Sequence, residues 1–280
     1  MNLEGCRTLL TGAGSGIGRC LALALGARGA KLVLVGRNAT RLTEVAREIV
    51  RAGGYALAVA HDLSAPAGHD QLVLSATNRL GGIDLLINNA GIAGFGEFAA
   101  EDPAGIDNLI NTNITAPLLL TRAVLPAMLE SGTGRIVNVG SILGSIGFPH
   151  FAAYSASKFA LRGFSEALRR ELAGSGIGVT YVAPRTTRTT LNSDTLYELS
   201  AASGTAVDDP ATVAAIIVEA IAADRDEIYI GWPEKLAVRL NALLPRLISL
   251  AIGKQVAAAR QLLRTTGPRP ATAPSIDKYE

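Results

Sequence analysis

Cysteine and aromatic residues are scarce in this chain of 280 residues. Its two cysteines, Cys6 and Cys20, are too few for a disulfide framework and lack the spacing of metal ligands, so we expect a reducing, cytoplasmic location and no metal. Aromatic residues make up 5% and charged residues 18%, against 49% hydrophobic residues. This composition argues against an aromatic-rich all-β sandwich and excludes a disordered chain. The first five residues lack the basic and apolar regions of a signal peptide.

Acidic residues are missing from a long stretch near the end of the chain. Residues 1–234 carry 18 Lys and Arg against 22 Asp and Glu, whereas residues 235–276 carry seven basic residues and no acidic one. An acidic body without a groove of basic and aromatic residues is not a nucleic-acid-binding layout. The basic, apolar segment that follows this body therefore needs a different explanation.

Two hydropathy patterns alternate as far as residue 231. Seven short runs rich in Val, Ile and Leu predict strands, at Arg7–Thr11, Lys31–Val35, Ala56–Ala60, Leu85–Asn88, Arg135–Val139, Val179–Ala183 and Glu227–Ile230. Six longer stretches have helical character, at residues 17–28, 39–52, 67–80, 106–131, 153–173 and 210–223. Strands that are apolar on both faces and alternate with helices indicate parallel βαβ units.

We therefore predict one doubly wound α/β domain over residues 1–231, with a seven-stranded parallel sheet and helices on both faces. A basic, apolar helical extension follows over residues 232–265, which we call the C-terminal arm. The prolines after residue 265 predict a disordered tail over residues 266–280.

A glycine-rich turn follows the first predicted strand directly. Its sequence is Thr11-Gly12-Ala13-Gly14-Ser15-Gly16-Ile17-Gly18, and a predicted helix begins inside it. Glycines allow a tight turn and a close approach of backbone N–H groups to a pyrophosphate, which the positive end of the helix attracts. At this place in a βαβ unit the turn predicts a dinucleotide site. Its expected contacts are Gly12, Ser15, Gly16, Ile17 and Gly18.

Five further motifs occur in the order and spacing of one known family. They are Asp62-Leu63 after the third strand, Asn88-Asn89-Ala90-Gly91 at the end of the fourth, Asn113 in Asn111-Thr112-Asn113-Ile114, Ser141 at the end of the fifth, and Tyr154-Ser155-Ala156-Ser157-Lys158. With the Thr-Gly-x-x-x-Gly-x-Gly turn, they resemble the short-chain dehydrogenase/reductase family over about residues 5–231.

The resemblance implies a Rossmann fold and an NAD(P)-dependent oxidoreductase. It assigns catalytic roles to Asn113, Ser141, Tyr154 and Lys158. It assigns cofactor contacts to Asp62, Leu63, Asn89, Ala90 and Gly91, and again to Tyr154 and Lys158.

Tyr154 and Lys158 are four residues apart on a predicted helix, so both side chains lie on one face. An ammonium group beside a phenol favours the phenolate, and we expect it to lower a tyrosine pKa that starts near about 10. Tyr154 would then act as general acid toward a carbonyl or as general base toward a hydroxyl, with Ser141 stabilising charge on the same oxygen.

The other two roles follow from the resemblance alone. Lys158 would bind the hydroxyls of the nicotinamide ribose. Asn113 would hold a water that relays protons from Lys158 to solvent. An asparagine inside a helix can also simply satisfy local backbone groups, and the sequence leaves both roles of Asn113 open.

The second predicted strand ends without a carboxylate, in Leu34-Val35-Gly36-Arg37-Asn38. NAD enzymes of the family usually place an acidic residue at the position of Gly36, where it binds the ribose diol. Arg37 with Ser15 can instead bind a phosphate, although Arg37 can also begin a solvated loop. We predict NADP(H) in preference to NAD(H).

One element of the family is altered after the sixth strand. The family usually has Pro-Gly there, and then a threonine that contacts the nicotinamide carboxamide. This chain has Ala183-Pro184-Arg185-Thr186-Thr187-Arg188-Thr189, with arginine in the place of the glycine. We carry cofactor contacts over to Pro184, Thr187 and Thr189. If Arg185 reshapes this loop, the geometry around the nicotinamide changes.

By analogy with the family, the expected substrate pocket is mostly apolar. Its walls are Phe95, Ile142–Ser145, Phe148–Phe151 and Leu191–Leu199, which favour a small lipophilic carbonyl compound or alcohol. His150 is either a solvated loop residue or a substrate contact. The alternative to an enzyme is a catalytically silent dinucleotide-binding scaffold or sensor, but such proteins usually lose the tyrosine or the lysine. The long apolar helices 106–131 and 153–173 predict a homodimer or homotetramer.

The C-terminal arm leaves two interpretations open. At 100° per residue, three basic residues gather on one side of a helix and four apolar ones broadly opposite, while two leucines lie on the basic side. These sets are Lys235, Arg239 and Arg246; Leu240, Leu244, Ile248 and Ile252; and Leu243 and Leu250. The charges and Pro245 argue against a transmembrane span. Residues 233–264 either pack on the body or a partner subunit, covering the substrate entrance, or make peripheral contact with anionic lipid.

Overall fold

The computed structural model describes residues 1–189, 197, 200, 206–253, 256 and 257. The strands of this part are β1 (Arg7–Thr11), β2 (Lys31–Gly36), β3 (Tyr55–Ala60), β4 (Leu85–Asn88), β5 (Gly134–Val139), β6 (Ile177–Ala183) and β7 (Glu227–Tyr229). They form one parallel sheet in the order β3-β2-β1-β4-β5-β6-β7. The doubly wound α/β prediction is therefore confirmed, and the strand bounds differ from the predicted ones by no more than two residues.

Helices connect these strands and cover both faces of the sheet. They are α1 (Gly16–Ala27), α2 (Ala39–Arg51), α3 (His69–Leu80), α4 (Pro103–Ile110), α5 (Ala116–Ser131), α6 (Ala152–Glu171), α7 (Pro210–Ala222), α8 (Trp232–Leu243) and α9 (Pro245–Ala251). One face packs against α1, α2 and α7, and the other against α3, α5 and α6. Helices α8 and α9 confirm the predicted helical character of the C-terminal arm as far as Ala251.

Both faces of the strands are apolar because both faces are covered. In β2, Leu32 and Leu34 pack with α1 and α2, whereas Val33 and Val35 pack with α3 and α5. All four side chains are fully buried. Successive side chains of a strand point to opposite faces, so a sheet between two helical layers needs a continuous apolar run. All seven strands end at the same edge, which is where open parallel sheets bind ligands.

The predicted helix 106–131 is longer than expected and changes its winding in the middle. It begins with α4, where the Asp102 carboxylate accepts the N–H of Gly105 at 3.3 Å and caps the first turn. A π-helical turn at Asn111–Thr115 then joins α4 to α5. Hydropathy does not predict a π turn, because its residues are held by contacts made elsewhere in the chain.

The same helical stretch, Pro103–Ser131, is the one in the described part that is long and apolar enough to cross a membrane. Its most apolar window is 44% buried inside the protein. Leu120, Val124 and Met128 of α5 belong to the core. The apolar character of this stretch is thus accounted for by packing on the sheet.

Smaller differences from the sequence prediction have local causes. Helix α3 begins at His69 and not at 67, because Gly68 adopts a left-handed conformation with φ of 96°. Short 3-10 turns at Phe98–Ala100 and Ile142–Gly144 were not predicted. The predicted tail, residues 266–280, lies outside the described residues.

Candidate active site

The four predicted catalytic residues come together at the carboxyl edge of the sheet. Ser141 follows β5, Tyr154 and Lys158 lie in the first two turns of α6, and Asn113 lies in the π turn. The Ser141 side chain is hydrogen-bonded to Tyr154, and Lys158 Nζ lies 5.7 Å from the centroid of the Tyr154 ring. A Cβ placed on Gly91 would lie 3.3 Å from Asn113 Oδ1 and 3.4 Å from Lys158 Nζ. These two groups therefore meet at the backbone of Gly91.

A tight turn sets the orientation of Ser141. Its backbone is extended, and its Oγ accepts the N–H of Leu143 at 3.1 Å, which begins the 3-10 turn Ile142–Gly144. The N–H of Ile142, which directly follows Ser141, donates to the carbonyl of Pro184 at 3.0 Å. Ser141 Oγ thus accepts a hydrogen bond from the backbone. Its own proton is free to be donated to the oxygen of Tyr154 or of a substrate.

Tyr181 of β6 holds this turn in place through a hydrogen bond to its backbone. The sequence analysis missed this role. The Tyr181 hydroxyl donates to the carbonyl of Ser141 at 3.2 Å, and the Tyr181 side chain is almost fully buried. A Cβ on Gly140 would collide with the Tyr181 ring, and one on Gly144 would lie 2.7 Å from the carbonyl oxygen of Lys158. The two glycines that flank Ser141 were the available signal, because they mark a close approach.

Burial decides the protonation of Tyr154 and Lys158. Tyr154 is 9% exposed and Lys158 4% exposed. Burial raises the pKa of Tyr154 to about 12, against the opposing effect of the Ser141 hydrogen bond. Burial lowers the pKa of Lys158 to about 8. Lys158 Nζ donates to the carbonyl of Val139 at 3.1 Å.

The sequence-based expectation that Lys158 lowers the pKa of Tyr154 is therefore wrong for this arrangement. The ammonium group lies over the ring and bonds to a backbone carbonyl, so desolvation of the phenolate outweighs its attraction. The Tyr154 phenol is held protonated at neutral pH. This protonation state suits a group that gives a proton to a carbonyl oxygen.

Asn113 joins two elements that are far apart in sequence. Its Oδ1 accepts the N–H of Ile92 at 2.9 Å, while its Nδ2 donates to the carbonyl of Ile92 at 2.9 Å and to Ser157 Oγ at 3.0 Å. Ser157 Oγ in turn donates to the carbonyl of Tyr154 at 2.7 Å. Asn113 does satisfy backbone groups, but they belong to the loop after β4 and not to its own helix. The side chain of Ser157 is a second member of the site that the sequence analysis missed.

The glycine-rich turn packs tightly against the end of β4. A Cβ on Gly12 would lie 2.8 Å from Cα of Ala90, and one on Gly18 would collide with the carbonyl of Gly12. Thr11 Oγ1 accepts the N–H groups of Asn89 and Ala90, each at 3.0 Å. Glycine is thus required at these positions by close backbone contact.

The loop after β6 completes the same edge. The N–H and the carbonyl of Thr189 are both hydrogen-bonded to the Tyr197 hydroxyl, at 2.8 and 2.7 Å. A Cβ on Gly16 would lie 2.8 Å from Cγ2 of Thr189. Thr187 is buried and its hydroxyl donates to the carbonyl of Arg185 at 3.0 Å. The structure therefore brings Pro184 next to the turn that follows Ser141 and Thr189 next to the glycine-rich turn, whereas Thr187 contacts Arg185 and Asp208.

Two arginines lie near the end of β2. Arg37 is exposed and lies close enough to Asp62 to affect its pKa. Burial raises the pKa of Asp62, but hydrogen bonds from Ser64 and the charge of Arg37 lower it, and the net pKa is below the usual value. Arg41, in the first turn of α2, was not predicted as a site residue. A Cβ on Gly14 would lie 3.4 Å from Cβ of Arg41, so Arg41 borders the glycine-rich turn.

Leu63, a predicted cofactor contact, has a buried side chain. The Leu63 side chain is 5% exposed and packs in the core with Val33 and Val35. Its backbone is the part that can face a ligand at the edge of the sheet. Asp62 keeps its carboxylate at the surface, where Oδ1 accepts the N–H and the hydroxyl of Ser64 at 3.0 and 2.8 Å.

Arg185, which replaces the glycine of the family, is fixed by two carboxylates. Its Nε and Nη2 donate to the two oxygens of Asp208 at 3.0 and 2.8 Å, and its Nη1 donates to Glu234 Oε2 at 3.2 Å. Asp208 lies at a bridge with Thr187, and Glu234 belongs to α8. Arg185 therefore ties the loop after β6 to the C-terminal arm.

Aromatic rings form an apolar wall that leads to Tyr154. Phe95 lies 5.0 Å from Phe151, Phe148 lies 6.1 Å from Phe151, and Phe151 lies 6.4 Å from Tyr154, all between ring centroids. These rings belong to one apolar cluster with Leu109 and Leu143. The remaining predicted wall, Leu191–Leu199, lies outside the described residues apart from residue 197.

His150 stands at the rim of this wall in an unusual backbone conformation. Its φ of 67° is left-handed, and its ring lies 6.0 Å from that of Phe95. Its Nε2 is buried and has no hydrogen-bond partner within the part of the chain that the structure describes. The Nε2 atom of His150 is thus shielded from solvent beside Phe95.

Comparison with known proteins now identifies the family. The family model for short chain dehydrogenase matches residues 7–198. The chain belongs to the short-chain dehydrogenase family. A ketoacyl reductase of Nostoc is 38% identical over 230 residues, which are 82% of this chain and 79% of the relative.

Solved structures of short-chain dehydrogenases are similar over most of the chain. A metagenomic short-chain oxidoreductase in complex with NADP is 34% identical with a TM-score of 0.70, covering 82% of this chain and 98% of that one. A member from Burkholderia phymatum in complex with NAD is 27% identical with a TM-score of 0.79, covering 88% and 96%. The protein is therefore an oxidoreductase of this family with a nucleotide-binding Rossmann fold.

Proposed function

We propose that this short-chain dehydrogenase is an NADP(H)-dependent oxidoreductase that interconverts a carbonyl group and an alcohol on a lipophilic substrate. The observation that carries the proposal is the buried Tyr154 phenol, hydrogen-bonded to Ser141, close to Lys158 and packed against an apolar aromatic cluster. A proton donor beside a hydrogen-bond donor and apolar rings suits reduction of a carbonyl group.

The residues of the edge fit a dinucleotide. Gly12 and Gly18 let the glycine-rich turn pack closely at the edge of the sheet, and Ser15 precedes the first turn of α1, which has no acidic residue to repel a phosphate. The dinucleotide would be held by Gly12, Ser15, Gly16, Ile17, Gly18, Asp62, the Leu63 backbone, Asn89, Ala90, Gly91, Pro184, Thr187 and Thr189. When bound, the nicotinamide supplies or accepts the hydride.

A preference for NADP(H) rests on the charges near the end of β2. Gly36 leaves no carboxylate for a ribose diol, Arg37 follows it directly in sequence, and Arg41 borders the glycine-rich turn. An arginine pairs with a phosphate through parallel hydrogen bonds. The two solved relatives hold NADP in one case and NAD in the other, so the preference depends on these residues of this chain.

The proton steps follow from the positions of four side chains. In reduction, the Tyr154 phenol gives its proton to the carbonyl oxygen as that oxygen gains charge, and Ser141 donates a hydrogen bond to the same atom. Lys158 would bind the ribose hydroxyls of the cofactor and would supply the proton that restores the Tyr154 phenol. The loop of Ile92, which Asn113 holds in place, would seat the water that connects Lys158 to solvent.

Apolar rings and one relative support a lipophilic substrate. Phe95 and Phe148 are partly exposed apolar rings that pack against the buried Phe151, which lies next to Tyr154. The Nostoc relative is described as a ketoacyl reductase, whose substrate class combines a ketone with an acyl chain. A 3-oxoacyl thioester therefore belongs in any substrate panel, beside hydrophobic aldehydes and ketones.

The decisive experiment measures NADPH and NADH oxidation with that panel. Tyr154→Phe removes the proton donor, and general acid catalysis is worth about 10²–10⁴ in rate, so turnover should fall by at least about a hundredfold while NADPH binding persists. Tyr55→Phe, at an exposed tyrosine of β3, is the matched control. If Tyr154→Phe kept a tenth of the wild-type kcat, the assigned acid would be wrong. NADPH binding without turnover of any substrate would favour a silent scaffold or sensor.

Members of the family usually assemble into oligomers and act on small molecules. The outer faces of α5 and α6 expose Leu129 and Phe159, which fits an assembly of two or four copies through these helices. Light scattering at micromolar concentration should give at least the mass of a dimer. A monomer mass would contradict the assembly.

A further inference from the structure

The outer face of helices α8 and α9 is apolar and exposed. Its large apolar side chains are between 40% and 78% exposed. They are Trp232, Leu236, Leu240, Leu243, Leu244, Leu247 and Leu250, and we call this set the arm face. The other exposed large apolar residues of the described chain, such as Leu74 of α3, each lie on a different element. A contiguous apolar patch of this kind marks a surface that binds something.

The inner face of α8 fixes the direction in which the arm face points. Residues at positions i, i+3, i+4 and i+7 lie on one side of a helix. On that side, Glu234 pairs with Arg185 at 3.2 Å, Val238 is 6% exposed and packs with Ile142 and Ile146, and Asn241 Nδ2 donates to the carbonyl of Ser145 at 3.0 Å. The arm is thus pinned to the turn that follows Ser141, and the arm face is left outward.

Cations accompany the exposed leucines. Lys235, Arg239 and Arg246 are all exposed, and within the described chain none of them forms an ion pair. The sequence has no acidic residue between 235 and 276, and four further basic residues of this stretch lie outside the described residues. Leucines and a tryptophan with unpaired cations at their flank match a bilayer surface, where apolar groups enter the interface and cations meet anionic headgroups.

A second copy of the chain fits this surface less well. A two-fold interface would place the arm face against itself, because both subunits use the same patch. Lys235, Arg239 and Arg246 would then face the same three cations, with no carboxylate on the patch to pair with them. Desolvating unpaired like charges opposes such an interface.

We infer that the arm face docks the protein on a membrane that contains anionic lipid. Trp232 and the exposed leucines enter the interface, and the three cations bind the headgroups. Because α8 packs on Ile142 and Ile146, the docked membrane lies next to the segment that carries Ser141. Docking is independent of the proposed chemistry, and its test needs no turnover.

Flotation of the full-length protein with liposomes tests the inference. Wild type should float with phosphatidylcholine vesicles that contain phosphatidylglycerol, should not float with phosphatidylcholine alone, and should be released by 1 M salt, which shortens the screening length to about 3 Å. The charge variant K235Q/R239Q/R246Q should lower the partition coefficient on the order of a hundredfold. The leucine variant L243S/L247S/L250S should reduce flotation to background.

Matched controls come from other exposed surfaces of the same chain. R47Q/R51Q/R79Q neutralises three exposed arginines of α2 and α3, and Leu74→Ser removes an exposed leucine of α3. These variants should float like wild type, and all variants should keep the wild-type melting temperature. The inference is overturned if wild type ignores anionic vesicles at low salt, floats equally with neutral ones, or if the controls lose as much as the arm variants. It is also overturned if only the leucine variant loses flotation and light scattering shows that this variant has lost oligomer mass, because the arm face would then be a subunit interface.

Discussion

Lys158 and Lys235 place the same functional group in opposite surroundings. Lys158 is buried, its Nζ donates to the backbone carbonyl of Val139, and its pKa falls to about 8 because burial disfavours its charged form. Lys235 is exposed on α8, without an ion pair in the described chain. Burial converts a cation into a group that exchanges its proton near neutral pH, whereas an exposed ammonium group is accessible to a partner from solvent.

Arg185 connects these two regions and is intermediate between them. Its side chain is 20% exposed, and it pairs with Asp208 beside the catalytic edge and with Glu234 of the arm. Its charge is paired with both carboxylates. The comparison of Lys158, Lys235 and Arg185 indicates that the surroundings of a cation, more than its residue type, determine its role.

The largest expected effect is on the catalytic side of this contrast. Ser141→Ala removes the hydrogen bond to Tyr154 and to the substrate oxygen, so kcat should fall by about 10²–10³ with little change in NADPH binding. Steady-state kinetics and fluorescence titration measure the two quantities. Ser145→Ala, in the same turn, is the control, because Ser145 Oγ lies 3.3 Å from the Tyr229 hydroxyl, in a contact that Tyr154 does not share. Equal losses in both variants would mean that the turn, and not the Ser141 hydroxyl, matters.

Exposed charge should act on binding alone. Arg37→Asp replaces a phosphate partner by a repelling carboxylate, so NADPH affinity should fall about tenfold to a hundredfold relative to NADH. Titration of both cofactors measures the ratio. Arg47→Asp makes the same charge change on the exposed face of α2 and should leave the ratio unaltered. An unchanged ratio in Arg37→Asp would reject the assigned preference.

The buried lysine should make stability depend on pH. The Lys158 pKa is lowered from 10.5 to about 8 in the folded protein, so between these values the unfolded chain binds more protons and folding stability rises with pH. Lys158→Met lacks this gain. Its stability advantage over wild type should therefore shrink by on the order of 1–2 kcal/mol between pH 7.5 and 9.5.

Urea unfolding of cofactor-free protein at the two pH values gives this difference. Lys31→Met, at an exposed lysine of β2, should show a difference from wild type that does not vary with pH. A constant difference for Lys158→Met would show that Lys158 is not buried as a charged group.

The smallest effect belongs to Arg185. Arg185→Gln breaks pairs with two partly buried carboxylates, and we expect a loss of about 1 kcal/mol in the free energy of unfolding. Hydrogen exchange in α8 should rise, because Glu234 loses its partner. Arg28→Gln breaks the more exposed pair with Glu219 and should cost less than about 0.5 kcal/mol. Unaltered exchange in α8 would mean that Val238 and Asn241 hold the arm without Arg185.

The sequence predicted those features that depend on local pattern. The alternation of apolar runs and helices located the strands, and the spacing of the motifs selected residues that the structure gathers at one edge. Hydropathy could not show the π turn, the support of Ser141 by Tyr181, or the pairing of Arg185 with Glu234, because each depends on a contact between distant segments. The pKa of Tyr154 was predicted in the wrong direction for the same reason: burial outweighs the neighbouring charge, and the sequence alone does not give burial.

The π turn at Asn111–Thr115 also limits how this chain can change in length. A π turn holds one residue more than an α-helical turn, so deleting one residue here would leave α4 and α5 nearly aligned but would remove the extra residue. Asn113 would then lose the position from which its Oδ1 accepts the N–H of Ile92. Recombination between related sequences should therefore succeed when α4, the π turn and α5 are exchanged as one block, and fail when a crossover inside the block alters its length by one residue.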